Sequence, residues 1–227
     1  MLFSLQAAKD NIRNRDGKRV FYLGKGDQLS IDARDYLNRE RIEILPAEQA
    51  KPQRYRLQSG GYLEEKPEHM THLHGDVLVS KSHPRIAFRG AIDTLEAELL
   101  LCASALPAYR SQLEEILTFA RKILRAEVLA EPFDLQVLGG MTSKELRERS
   151  HRPQDFYGQP HFMPTVSDSE AVLRLNHVRT VARAAELKAV AAFVYEDGRM
   201  EREDILQGLN RMSSMLYILM IQAKKGI

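Results

Sequence analysis

Arg179, Arg183 and Glu186 recur at i, i+4 and i+7 in a stretch whose apolar residues follow a helical period. At about 100° per residue, their side chains fall within one narrow stripe of such a helix. Two guanidiniums and a carboxylate on one face suit a polyphosphate and its metal ion, because planar cations clamp phosphate oxygens bidentately and the carboxylate orients the metal shell. The neutral amide that would complete such a grip is Asn210, in Leu209-Asn210-Arg211-Met212-Ser213-Ser214 on the next helix. The stripe also has a plain structural reading. Charged helix faces are usually solvated, and each pair then contributes only about a few tenths of a kcal/mol.

Other residues gain meaning beside that stripe. Asp93 sits on a mostly apolar helix, where it can pair locally with Arg89 or across helices with Arg179. Lys81, just before Ser82-His83-Pro84-Arg85, is a point charge within reach of a phosphate, or an ordinary solvent-facing lysine. His69, His72 and His74 crowd into Glu68-His69-Met70-Thr71-His72-Leu73-His74 and invite a metal reading. No cysteine supports it, and His72 and His74 share a face only if the segment is extended. His161-Phe162-Met163-Pro164 lies in an irregular stretch and reads either as a plug packed on the helices or as a ligand contact.

The elements that must position these groups are mostly helical. Ile92, Leu95, Leu99, Cys102 and Leu106 form one apolar stripe stopped by Pro107; Leu113, Ile116, Leu117, Ala120, Ile123 and Leu124 form another, stopped by Glu131-Pro132. A short helix is expected to start at Ser143, before the His- and Pro-rich stretch 150–164. Ser167 with Glu170 has the spacing of a capping box and predicts a long helix to about Val194. Glu196-Asp197-Gly198 then turns the chain into a last helix, with Leu206, Leu209, Met212, Met215, Leu216 and Leu219 on its apolar face and Lys224-Lys225-Gly226 at its end. An antiparallel helix bundle buries these stripes economically.

Ahead of it, residues 1–50 read as a small mixed α/β unit. It has a helix around Leu5 to Ile12, a strand Val20–Leu23, a helix Ser30–Asn38 capped by Ser30, and a strand Ile42–Leu45. Asp16-Gly17 and Gly24-Lys25-Gly26-Asp27 mark turns. Residues 51–70 read as a linker or exposed loop, and 71–227 as the helical domain. The fold class expected is therefore mainly α with a small mixed N-terminal appendage.

Composition narrows the partners. With 33 Lys and Arg against 31 Asp and Glu, a net charge of +2 gives no global field for a nucleic-acid backbone. The single cysteine, Cys102, excludes an intrachain disulfide and a multi-cysteine metal site, and points to a reducing cytoplasm. The most apolar segment, Met215 to Ala223, is about half the ~20 residues of a membrane span, so no membrane association is expected.

Together these segments resemble the ATP:cob(I)alamin adenosyltransferases, specifically the ethanolamine-utilisation type. The resemblance rests on Ser30-Ile31-Asp32-Ala33-Arg34-Asp35-Tyr36-Leu37, on Met70-Thr71-His72-Leu73, and on the run from Lys81 to Asp93. It continues through Arg179-Thr180-Val181-Ala182-Arg183-Ala184-Ala185-Glu186 and Leu209 to Ser214. It implies a five-helix bundle, a homotrimer with sites between subunits, and transfer of the 5′-deoxyadenosyl group of ATP to cob(I)alamin. Thr71, Lys81, Arg179, Arg183, Glu186 and Asn210 then fall on positions that hold ATP, with Glu186 near Mg2+. Asp93 falls on the position that pairs with the equivalent of Arg179. His161 and Phe162, with Phe156 beside them as a further candidate, fall on the stretch lying against the lower face of the corrin. A flavoprotein reductant and a microcompartment are compatible partners.

The chain departs from its relatives in three ways. It lacks the Thr-Gly-Asp-x-Gly-x-Thr loop of the propanediol type, and it reads Tyr55-Arg56-Leu57-Gln58-Ser59 where some ethanolamine-type members carry Cys-Cys-x-x-Cys. Leu187 and Ser214 replace polar residues. Two other classes compete: a non-catalytic corrinoid carrier or microcompartment-docking module, and a di-metal carboxylate bundle. The latter requires Glu-x-x-His pairs that the four long helices lack.

Overall fold

A computed structural model describes residues 1–15, 17–50, 55–134 and 137–226. The chain divides into two compact units, Met1–His83 and Pro84–Ile227. It is mainly α with a sheet part, as expected.

In the N-terminal unit the order is β1 (Leu2–Phe3), α1 (Leu5–Asp10), β2 (Arg13–Arg15), β3 (Lys18–Leu23), β4 (Gln28–Leu29), α2 (Ile31–Arg39), β5 (Glu43–Pro46), β6 (Tyr55–Leu57), β7 (Tyr62–Leu63), β8 (Met70–His74) and β9 (Val77–Ser80). Ser30 caps α2 as expected, its hydroxyl accepting from the Ala33 amide at 3.2 Å. Because α2 connects them as a crossover, β3 and β5 pair in parallel, with Phe21 opposite Ile44. Phe21, Ala33, Leu37 and Ile42 close a small core beneath.

The stretch 51–70, expected as a linker or loop, instead contributes β6 and β7 to a seven-stranded sheet of order β5-β3-β2-β7-β6-β9-β8. Strands this short show no readable period. Gly60 and Gly61, at φ +93° and +86°, make their turn, and a Cβ on Gly61 would stand 2.7 Å from the Ile12 carbonyl oxygen. Residues 51–54, and Asp16 of the expected Asp16-Gly17 turn, lie outside the described residues. With β8 and β9 in this sheet, the boundary between units falls after His83 rather than near residue 70.

The second unit comprises α3 (Pro84–Ala105), α4 (Arg110–Val128), the hairpin β10 (Val137–Leu138) and β11 (Met141–Thr142), α5 (Ser143–His151), α6 (Pro153–Tyr157), α7 (Glu170–Phe193) and α8 (Glu203–Lys225). The expected stripes are buried: Ile92, Leu95 and Leu99 of α3 and Leu113, Ile116 and Ile123 of α4 are among the least accessible side chains. Helix α7 packs on both α3 and α8, and its inner faces carry the small buried residues Ala182, Ala185 and Ala189, which let neighbouring helices approach closely. Cys102 lies in this core, where burial pushes its thiol up to about 11, so it stays a neutral thiol at neutral pH.

Two helix starts differ from expectation. Helix α7 is capped by Ser169, whose hydroxyl accepts from the Val172 amide, while the expected Ser167, two residues earlier, bonds Thr165. A reciprocal capping box does occur, between Thr142 and Glu145 at the start of α5.

Near the end of α4 the fully buried Glu127 carboxylate accepts from Nε of Arg85 at 2.6 Å and from Nε of Arg89, both on α3. Desolvating one carboxylate between two guanidiniums is tolerable only while all three are paired. Glu127→Ala is therefore expected to destabilise the protein by about 3–5 kcal/mol, read as a lowered urea midpoint, and Glu127→Gln by less.

Candidate active site

Helices α5, α7 and α8 and the 158–169 segment surround a cavity of about 260 Å3 lined by Ser150, His151, His161, Arg179, Arg183, Asn210, Ser213, Ser214 and Tyr217. Three of the four stripe and amide residues expected to converge thus line one space, with His161. The fourth, Glu186, stands directly behind: Asn210 Nδ2 donates to Glu186 Oε1 at 2.9 Å. No carboxylate is among the lining residues.

Electrostatically the cavity is a cationic recess. Arg179 is half-buried, and burial, then the neighbouring Arg183 charge, moves its pKa below the ordinary arginine value. It is held by neutral partners: Nη2 donates to Asn176 Oδ1 at 2.9 Å, and the guanidinium lies 6.0 Å over the Tyr217 ring. Amide and π partners orient a guanidinium without cancelling its charge.

A second layer fixes Asn210. Arg211, almost wholly buried, donates from Nη2 to Asn210 Oδ1 at 2.7 Å and from Nη1 to the Ser143 carbonyl. With its oxygen engaged by a cation, the amide must turn its NH2 toward Glu186, so the flip is determined by chemistry. Arg211 Nε is buried with no partner among the described residues.

His161 is pinned as part of the wall. Its Nε2 donates to the His151 carbonyl at 3.1 Å, its Nδ1 hydrogen-bonds the Tyr217 hydroxyl at 2.8 Å, and the two rings stack at 5.7 Å. Burial pushes the Tyr217 phenol above its ordinary value, so it remains protonated and able to donate. Phe162 packs against the core with the Lys224 ammonium 5.5 Å from its ring centroid. Phe156, on α6, is exposed beneath Arg149.

The expected pair of Asp93 with Arg179 is not formed within the chain, nor is the local pair with Arg89. Arg179 is taken by Asn176 and Arg89 by Glu127, while Asp93 is exposed without an ion pair among the described residues. Thr71, on β8, and Lys81, in the turn after β9, belong to the N-terminal unit. On β8 the His72 ring bonds the Gly75 carbonyl, and the described residues form no cluster that holds a metal, so the metal reading of His69, His72 and His74 is dropped. Tyr217, seven residues past Asn210 on the same helix face, is a wall residue that the sequence reading does not single out, while Ser213 and Ser214, three and four residues past it, belong to the Leu209–Ser214 run. Ser150 and His151 carried no periodic signal.

A mainly α unit with a cation-lined recess between helices is the class that fold and site define. The family model described as cobalamin adenosyltransferase matches residues 61–223. This chain belongs to the cobalamin adenosyltransferase family. It is 34% identical over 157 residues to the corrinoid adenosyltransferase EutT of Escherichia coli (strain K12), and 35% identical over 157 residues to that of Salmonella typhimurium (strain LT2). Both alignments cover 69% of this chain, which spans 59% of the length of these curated relatives. Among solved structures it resembles two variants of the PduO-type ATP:corrinoid adenosyltransferase from Lactobacillus reuteri complexed with cobalamin and ATP. The TM-scores are 0.52 and 0.53 at 19% and 18% identity, covering 70% of this chain and 88% and 86% of theirs. These likenesses support the fold.

The Tyr217–His161 bond ties the 158–169 segment to α8. Tyr217→Phe is expected to cost about 0.5–1.5 kcal/mol and to speed amide hydrogen exchange in residues 158–168 while leaving the interiors of α7 and α8 protected.

Proposed function

We propose that the protein transfers the 5′-deoxyadenosyl group of ATP to cob(I)alamin, giving adenosylcobalamin and triphosphate, in ethanolamine catabolism. What carries the reading is the carboxylate-free recess in which Arg179 and Arg183 stand side by side with Asn210. The cobalt(I) electron pair attacks C5′, the Co–C bond forms, and the C5′–O bond breaks with its pair going to triphosphate. The corrinoid is its own nucleophile, so no Ser-His or Cys-His pair is needed.

Negative charge gathers on the leaving group, and positioned cations are the effective catalysts. Arg179 and Arg183 take this role, with Lys81 as a third cation and Thr71 as a hydroxyl contact. Mg2+ binds through one or two carboxylates plus phosphate oxygens and keeps several waters, and the single carboxylate Glu186, held by Asn210, fits that demand. When bound, the ion would neutralise part of the triphosphate charge.

The helices are read as the five-helix bundle of the family, assembled as a homotrimer with sites between subunits. Asp93, exposed and without an ion pair among the described residues, supports this, since its cationic partner would then be Arg179 of a neighbouring subunit. Phe162, with His161 braced beside it, is assigned to the lower face of the corrin, where an apolar wedge excludes a lower ligand and eases reduction to cobalt(I). A flavoprotein reductant, a cytoplasmic location and association with a microcompartment follow as proposals; no helix of the described residues is long and apolar enough to cross a membrane.

The test is to mix the full chain with chemically reduced cob(I)alamin and ATP and follow the corrinoid spectrum with triphosphate release. Arg183→Ala is expected to slow turnover by roughly 10²–10³-fold with corrinoid binding retained. Phe162→Ala is expected to impair reduction of bound corrinoid while sparing transfer from pre-reduced cob(I)alamin. Corrinoid binding with no triphosphate from the unaltered chain would favour the carrier reading instead.

A further inference from the structure

The recess between α5, α7 and α8 contains one polar group to which the adenosyl-transfer reading gives no task. Three serines line its wall, and two already use their single proton: Ser214 donates to the Asn210 carbonyl at 3.2 Å and Ser150 to the Arg147 carbonyl at 3.1 Å. Ser213 differs. It is only 7% exposed, yet its hydroxyl has no partner among the described residues and opens onto the cavity. Buried hydroxyls are nearly always bonded, so a free donor facing a cavity is placed for a ligand.

The register of the two helices says what that donor faces. Helices α7 and α8 meet at Glu186 and Asn210, 2.9 Å apart, and again where the Arg179 guanidinium lies 6.0 Å over the Tyr217 ring. These contacts define an antiparallel pairing in which Ser213 and Arg183, midway between them, come level. Arg183 is exposed and likewise has no hydrogen bond or ion pair among the described residues. With no carboxylate in the wall, the guanidinium attracts an anion and the neighbouring hydroxyl can add a charge-assisted bond to it.

We propose that Ser213 is a further binding residue for the triphosphate of ATP, its Oγ donating to a phosphate oxygen held by Arg183. The proposal rests on the recess being the ATP site. Since the bond exists only in the complex, removing the hydroxyl separates ligand binding from folding. Alanine at this helical position loses no bond in the free protein and has the higher helix propensity, whereas the complex loses a hydrogen bond to a charged group.

Equilibrium dialysis of the full chain against radiolabelled inorganic triphosphate with Mg2+, paired with thermal unfolding of the ligand-free protein, tests this. Ser213→Ala is expected to raise the dissociation constant about tenfold while leaving the unfolding midpoint unchanged or higher. Ser213→Cys, with a weak donor in nearly the same volume, is expected to weaken binding too, so that loss of space does not account for the effect. No triphosphate binding by the unaltered chain, affinity unchanged in either variant, or a midpoint lowered by Ser213→Ala overturns the proposal. So does a loss of affinity for ATP without one for inorganic triphosphate, which would assign the hydroxyl to the nucleoside. Ser213-dependent triphosphate binding in a chain that transfers no adenosyl group to cob(I)alamin would uphold this inference and defeat the adenosyl-transfer reading alone.

Discussion

The register of α7 against α8 is the constraint on which the site depends. Helix α7 has two buried sides, because both α3 and α8 pack against it, and Ala182, Ala185 and Ala189 keep those sides narrow. Part of what remains is polar. Arg179, Arg183 and Glu186 share that face, and the Asn210–Glu186 bond locks it to α8 at one axial setting. A slip of one turn, about 5.4 Å, would carry Glu186 away from its amide and break up the recess.

The polar part of this arrangement is stabilised indirectly. Two guanidiniums side by side repel, and neither is neutralised by a carboxylate in the cavity wall. Instead, Arg179 is held by an amide and an aromatic ring, and Asn210 by the buried Arg211 behind it. Such neutral and relayed contacts preserve positive potential where an anion is to be held, at the cost of leaving one buried guanidinium nitrogen without a partner among the described residues. The other buried ion cluster is built differently, with the Arg85 and Arg89 guanidiniums both bonded directly to the Glu127 carboxylate where α3 and α4 are joined.

Cations are handled in the same manner in the N-terminal unit. Tyr36 and Tyr22 carry Lys9 and Arg13 on their faces, as Tyr217 carries Arg179. The parallel pairing of β3 with β5 around α2 supplies the rigid base that this requires.

The helical stripes, the Ser30 cap, the start of α5 and the convergence of Arg179, Arg183 and Asn210 were legible in the sequence, because each is governed by spacing along a single helix or by local cap chemistry. The strands β6 and β7, the choice of Ser169 over Ser167 as cap, and the partners of Asp93, Arg89 and Arg179 were not. Two- and three-residue strands carry no period of their own and are defined by the neighbours they pair with. Competing caps two residues apart are separated only by the path of the preceding chain. Which carboxylate meets which guanidinium depends on burial: Glu127, eventless in sequence, captures Arg89 because it sits at the dry junction of two helices. The sequence by itself determined which residues could share a face; tertiary packing alone decided which faces met, since desolvation and interhelical distance are properties of the assembled core and not of any segment.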